Sequence, residues 1–296
     1  MSRGRQSILQ CNDCVEPADA FGLVANDTRL GILEALWQTE ETPARFTDLR
    51  KTVGMRDSAQ FNYHLDKLTD QFVRKVDDGY ELRHAGEKVV RAVLAGSFTE
   101  HPEIEPIAVE DPCVQCGSGL VAAYDDEQLA ISCPDCGYGH GEYAFPPGGL
   151  SERTDAEVLA AFEQRVRHLH CLAKDGVCPE CSGRMETTVE HADDCCCVDS
   201  TLTATHRCVQ CDHERCSAVG LALLDDSEVV GFHREHEVSL SERPYWTLPW
   251  CVSDESVAVV SEEPQRFEVG LACDDEVLRV TLDGDLTVLD TERSPA

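Results

Sequence analysis

Lysine is scarce in this chain, with 5 residues against 20 arginines. No apolar run approaches the roughly 18–20 residues needed to cross a bilayer, so no membrane-spanning segment is expected. The start, MSRGRQSILQCNDCVEPADAFG, carries two arginines but no sustained apolar stretch, which argues against a secretory signal. A cytoplasmic protein is the expectation. There is no Gly-rich phosphate loop, no nucleophile-elbow pattern, and no helical histidine pair with a glutamate base. His168 and His170 are spaced badly for a shared metal. These absences argue against an enzyme.

Negative charge is in excess. The chain has 296 residues and a formal net charge of −31. Strong acidity with little lysine suits a protein that stays hydrated in very high salt. The alternative is an acidic protein that avoids acidic partners. The charge is unevenly placed. Residues 16–96 hold 11 Lys/Arg and 14 Asp/Glu, a net of −3, whereas residues 97–296 hold 12 and 41, a net of −29. Residues 1–15 hold 2 and 1, a net of +1. Such asymmetry hints that the spared segment faces nucleic acid.

Within that segment, Phe61, Leu65, Leu68 and Phe72 follow helical spacing and form one apolar face. Arg56, Gln60, Tyr63 and Lys67 fall on the opposite face. That face suits water, and it also suits a DNA major groove. The surrounding pattern is helical in DAFGLVAN and in DTRLGILEALWQ, where Asn26 or Asp27 can cap. TDLRKTVG reads as a short helix with Thr47 as cap and Gly54 as stop. FVRKV and YELR read as strands around an Asp-Gly turn, and AGEKVVRAVLAG returns to helix.

This order resembles a winged helix-turn-helix domain. LVANDTRLGILEAL, SAQFNYHLDKL and FVRKVDDGYELRHAGEKVV resemble the second helix, recognition helix, and wing with closing helix of the ArsR-like regulators. The whole chain resembles haloarchaeal members that add a C-terminal cysteine-rich module. The resemblance implies a homodimer on double-stranded DNA. Arg56, Ser58, Gln60, Asn62, Tyr63 and Lys67 would face the major groove, and Arg74 and Lys75 on the wing would meet the backbone or minor groove. His64 borders the apolar face and reads as packing, not as a ligand. The metal-sensing members carry paired cysteines near the reading head. FTDLRKTVGMRDS has none, so metal sensing there is not expected.

The 17 cysteines are odd in number, which argues against a disulfide framework. Cys113, Cys116, Cys133 and Cys136 form C-x2-C, sixteen residues, then C-x2-C. Two such knuckles joined by a hairpin place four thiolates around Zn²⁺ at about 2.3 Å. Gly117 and Gly137, one residue past each pair, let the chain turn. Cys178, Cys181, Cys208 and Cys211 repeat the arrangement with a spacer of 26 residues. Two structural zinc ions are therefore expected, although spacing alone also permits swapped pairing of the knuckles. Cys195, Cys196 and Cys197 read as a loop tip, or as a sensor of metal or oxidant. Cys11, Cys14, His213 and Cys216 stay unassigned. Thr154 and Glu157 form a capping box for a helix over 154–174, with Val158, Leu159, Phe162, Val166 and Leu169 on one face. The cluster Tyr245, Trp246 and Trp250 reads as a core plug or as a ligand or partner pocket.

The expected architecture is α+β: a winged helix-turn-helix, then a zinc-ribbon-containing α+β module with a β-rich C-terminal part. The expected boundaries are a flexible 1–15, a DNA-binding 16–96, an acidic linker 97–112, and a zinc ribbon 113–150. A helix and a second four-cysteine zinc module follow over 151–217, and an α/β cap over 218–296. A DNA-binding transcriptional regulator is the expected function. The alternative is a protein of the transcription machinery similar to transcription factor E. The charge division generates a prediction: lowering the salt unfolds the acidic C-terminal part before residues 18–95. Circular dichroism along a salt series, with hydrogen exchange to locate the loss, tests it. Simultaneous melting, or the reverse order, would contradict the halophilic reading.

Overall fold

The computed structural model describes residues 15–40, 42–191 and 202–296. The chain divides into two compact units, 1–99 and 100–296.

In the first unit the elements run α1 Pro17–Val24, α2 Asp27–Gln38, α3 Phe46–Thr52, α4 Ser58–Leu68, β1 Val73–Val76, β2 Gly79–Leu82 and α5 His84–Leu94. Asn26, not Asp27, caps α2, its side chain accepting the Arg29 N–H at 3.2 Å. α3 starts earlier than the sequence suggests: Arg45 is its N-cap, and Thr47 lies inside the helix. Pro43 and Phe46 obscured that start, because neither is a capping residue. Gly54 ends the turn in the left-handed region at φ 73°. Asp57 caps α4 by accepting the Ala59 and Gln60 N–H groups at 2.8 and 3.1 Å. Phe61, Leu65 and Leu68 are fully buried against Ile32 and Leu33 of α2 in one apolar core. Each contributes about 1.5–3 kcal/mol by leaving water. β1 and β2 pair antiparallel, Val76 opposite Gly79. Gly79 serves more than the turn: a Cβ there would lie 2.3 Å from the Ala44 oxygen, where the chain before α3 bridges to Tyr80.

In the second unit, β3 Ile107–Pro112, β4 Gly119–Asp125, β5 Gln128–Ser132 and β6 Gly139–Ala144 form an antiparallel sheet in chain order. The segment 97–112 is therefore not linker throughout. Ile107 and Val109 are buried and alternate with exposed Ala108 and Glu110, a period-2 pattern too short to stand out among flanking glutamates and prolines. Helix α6 runs Asp155–Lys174 with the expected capping box. Val158, Phe162 and Val166 are buried, while Leu159 and Leu169 are half-buried. β7 Met185–His191, β8 Leu202–Cys208 and β9 Glu214–Ala218 form a second antiparallel sheet. After α7 Ser227–Glu235 and α8 Pro249–Val252, four strands form an antiparallel meander: β10 Val257–Glu262, β11 Gln265–Cys273, β12 Glu276–Asp283 and β13 Val288–Pro295.

One hydrophobic core runs through all three sheets of this unit. Ile131, Phe162, Val189, Leu223, Tyr245, Trp250, Phe267 and Val280 belong to it. The three segments separated in the sequence reading thus share a single interior. Two buried polar groups inside it are paired: Arg167 donates to Glu163 at 2.6 Å and to the Leu240 and Arg243 carbonyls at 3.0 and 3.1 Å. Gly220 marks the tightest approach, since a Cβ there would lie 1.9 Å from the Trp250 oxygen. Gly220→Ala is expected to cost about 1–3 kcal/mol, read as a lower denaturation midpoint. Unchanged stability would contradict this packing.

Candidate metal centres and nucleic-acid interface

Four short loops of one build present the cysteine sulfurs. In the first, the Cys113 N–H donates to the Ser118 oxygen at 2.7 Å and the Gly117 N–H to the Cys113 oxygen at 2.9 Å. The same pair of bonds closes the loops after Cys133, Cys178 and Cys208. The residue four beyond the first cysteine always takes a positive φ. It is Gly117 at 77° and Gly137 at 79° in one group, but Ser182 and Asp212, both at 59°, in the other. The sequence reading found only the glycines, because serine and aspartate announce a left-handed residue far less clearly than glycine does.

The loops bring the sulfurs into two groups of four, Cys113, Cys116, Cys133 and Cys136, and Cys178, Cys181, Cys208 and Cys211. The knuckles pair within each set and are not swapped. Sulfur separations are 3.7 Å for Cys113–Cys136 and 3.5 Å for Cys116–Cys133. They are 3.7 Å for Cys178–Cys211 and 3.5 Å for Cys181–Cys208. A tetrahedron with 2.3 Å metal–sulfur bonds has edges of about 3.8 Å. The donor sets therefore fit a closed four-coordinate metal. Backbone N–H groups of Gln115, Gly183 and Gln210 each approach a sulfur at 3.4 Å.

The thiols of each group titrate together. The Ser118 N–H and hydroxyl, with the neighbouring sulfurs, draw Cys116 down to about 6. The Tyr138 N–H opposes the rise of Cys136, but desolvation and its three sulfur neighbours outweigh it and push that thiol up to about 12. Desolvation raises Cys208, yet N–H groups from Cys211 and Gln210 bring it down to about 7. A soft cation displaces the shared protons, so loading weakens as pH falls.

His140 is a partner the sequence reading missed. It is fully buried, its Nδ1 is 3.0 Å from the Trp246 oxygen and its Nε2 is 3.4 Å from Cys113 Sγ. Such outer partners orient ligands. Its only signal was its place four residues after Cys136. Tyr138 strengthens the same link by donating to the Val252 oxygen at 2.9 Å. Neither His213 nor Cys216 joins a metal-competent group among the described residues. Of the described cysteines, Cys216 is disulfide-bonded and the others are free. Burial pushes Cys171 up to about 12, and its thiol donates to Asp225 at 2.6 Å. Cys11, Cys14, Cys195, Cys196 and Cys197 lie outside the described residues. Tyr245, Trp246 and Trp250 are core residues, and Trp246 also lines a cavity of about 540 Å³ with Asp111, Leu159, Glu163 and Arg243.

In the first unit Arg56, Ser58, Gln60, Asn62, Tyr63, Lys67, Arg74 and Lys75 are all exposed. Tyr63 is 58% exposed, and the Lys67 ammonium lies 5.7 Å from its ring centroid. Asn62 donates to Asp66 at 2.7 Å, Arg74 pairs with Glu81, and the Lys75 ammonium lies 5.9 Å from the Tyr80 ring. His64 is half-buried and packs edge-on against Tyr63 at 5.3 Å. No helix among the described residues is long and apolar enough to cross a membrane.

A family model described as Domain of unknown function (DUF7351) matches residues 110–288, more than half of the chain. The chain belongs to the DUF7351 family. A second model, Domain of unknown function (DUF7347), matches residues 17–93. No curated protein and no solved structure matches the chain. All eight clustered cysteines lie within the DUF7351 match, and the exposed α4 face lies within the DUF7347 match.

Cys133→Ser is expected to lower the metal content of the full-length chain from two ions to one and to loosen sheet β3–β6. Elemental analysis and circular dichroism test both effects. An unchanged metal count would remove the first centre.

Proposed function

We propose that this chain is a DNA-binding transcriptional regulator in which residues 16–96 act as a winged helix-turn-helix and the two tetra-cysteine groups hold structural zinc. The observation that carries the reading is the exposed face of α4. It offers Gln60, Tyr63 and Lys67 to solvent, with Arg56 exposed just ahead of the helix, while Phe61, Leu65 and Leu68 fix the helix to its own core. Asp57 closes the helix start, and the β1–β2 hairpin offers Arg74 and Lys75 as a wing. The small net charge of residues 16–96 lets this unit approach phosphate. In concentrated salt, counterion release adds little, so affinity comes to depend on base contacts and shape. Zinc is the natural occupant of a closed set of four thiolates, which leaves no position for substrate. The reading is thus of a binding protein and not of an enzyme.

A homodimer is part of the proposal. Phe21 on α1, Leu94 on α5 and Phe98 just beyond it are 72%, 59% and 77% exposed, apolar surface that a second copy would cover. The second reading, a transcription-machinery protein similar to transcription factor E, would place a protein partner on the same apolar surface. The α4 face itself argues for bases, because Tyr63 is its one large apolar side chain and that side chain ends in a hydroxyl.

Selection of random duplex DNA by the full-length protein in molar potassium chloride tests the proposal. One enriched motif with two-fold repetition is the expected result. Replacing Gln60 and Tyr63 with alanine is then expected to flatten the preference, by about 1–3 kcal/mol of discrimination per lost base contact, with the fold intact. No enrichment by folded, zinc-loaded protein would move the assignment to the second reading.

A further inference from the structure

The sheet β7–β9 buries a cation without an ion-pair partner. Thr187, His206 and Arg215 stand opposite one another in register, so their side chains share one face. The Arg215 guanidinium lies 5.9 Å from the Tyr143 ring centroid. The His170 ring of α6 meets the same Tyr143 edge-on at 4.8 Å. Arg215 is 7% exposed, His170 2% and His206 1%. Nε of Arg215 is buried without a hydrogen-bond partner. No carboxylate lies within ion-pairing distance of Arg215 among the described residues. Arg167, the other buried arginine of this unit, is in contrast paired with Glu163 and bonded to the Leu240 carbonyl.

Contact with an aromatic ring returns less than the burial of a guanidinium costs. The Glu180 carboxylate acts on Arg215 from beyond ion-pairing distance, so a close counter-ion is the missing term. A proton donor is missing as well. His170 Nδ1 is 2.8 Å from the Val166 oxygen and so carries its proton, which leaves Nε2 an acceptor in the neutral ring. That Nε2 is 3.4 Å from the Cys216 oxygen, which also only accepts. Burial, then the Arg215 charge, pushes the His170 pKa down to about 3, so the ring does not supply the second proton itself.

The geometry points to a site for a small protonated oxyanion of the hydrogen-phosphate type, centred on Arg215 and flanked by His170 and His206. Its unprotonated oxygens would accept from the guanidinium, and its P–OH would donate to Nε2 of His170. Sulfate matches the first requirement and fails the second. The site lies on the sheet that carries the second tetra-cysteine group, with His206 two residues before Cys208, but none of its residues belongs to either group, and it does not depend on the DNA-binding proposal.

The test uses the full-length, metal-loaded protein at constant ionic strength, with chloride exchanged for inorganic phosphate or for sulfate. Phosphate is expected to raise the melting temperature saturably, by roughly 5 °C at a hundredfold excess over Kd, and sulfate by much less. Equilibrium dialysis of the wild type is expected to find one phosphate per chain. Arg215→Met is expected to lose the phosphate response while melting no lower than wild type in phosphate-free chloride, because it removes an unpaired buried charge at similar volume. Arg215→Lys is expected to keep a weakened response. Absence of bound phosphate, an equal response to sulfate, or a response retained in Arg215→Met would overturn the assignment.

Discussion

Four sulfurs gathered within 4.8 Å, with the nearest pairs 3.5–3.7 Å apart, cannot all be thiolates without a cation among them, and the second unit is arranged around two such meetings. Each draws together loops that are distant in the chain. The strands leaving those loops inherit a fixed register: Val121 meets Ser132 beside the first group, and Met185 meets Cys208 beside the second. Once in register, β3–β6 and β7–β9 present Ile131 and Val189 to a shared interior, which α6 and the C-terminal meander complete. Residues of both sheets belong to that one core. The thiol groups and the hydrophobic core thus depend on one another.

Much of this was legible because chemistry with a fixed spacing leaves a fixed trace. Two C-x2-C pairs name a tetrahedral donor set whatever lies between them. Phe61, Leu65 and Leu68 name a buried helix face by period alone. Thr154 and Glu157 name a helix start by reciprocal bonding. What was not legible depends on partners far away in sequence. His140 matters because Trp246 and Cys113 meet it. Arg167 is satisfied by carbonyls more than seventy residues on. β3 was hidden because two buried side chains are too short a signal against the acidic residues around them. The cap of α3 was misplaced because a threonine in the right neighbourhood outscored an arginine with no capping side chain.

The division of charge acquires a physical sense beside this architecture. The acidic residues of the second unit are overwhelmingly on its surface, and among the described residues Glu163 is its one buried carboxylate. Its other interior polar groups are arginine, histidine, serine and threonine. Exposed carboxylates repel one another and gain from salt screening, whereas the core and thiol groups do not need salt. The unit therefore joins a salt-sensitive exterior to a salt-indifferent centre. In the first unit opposite charges are closer to balance, and pairs such as Arg91–Glu87 and Arg74–Glu81 lie at the surface.

The left-handed residues of the four cysteine loops make the two centres unequal. Glycine occupies that conformation without steric penalty at positions 117 and 137. Ser182 and Asp212 hold it at a cost of about 1–2 kcal/mol each, partly relieved at Asp212 by its short polar side chain. The two groups are therefore built on unequal backbones, and any ion that closes the second would also have to hold two turns that strain pulls open.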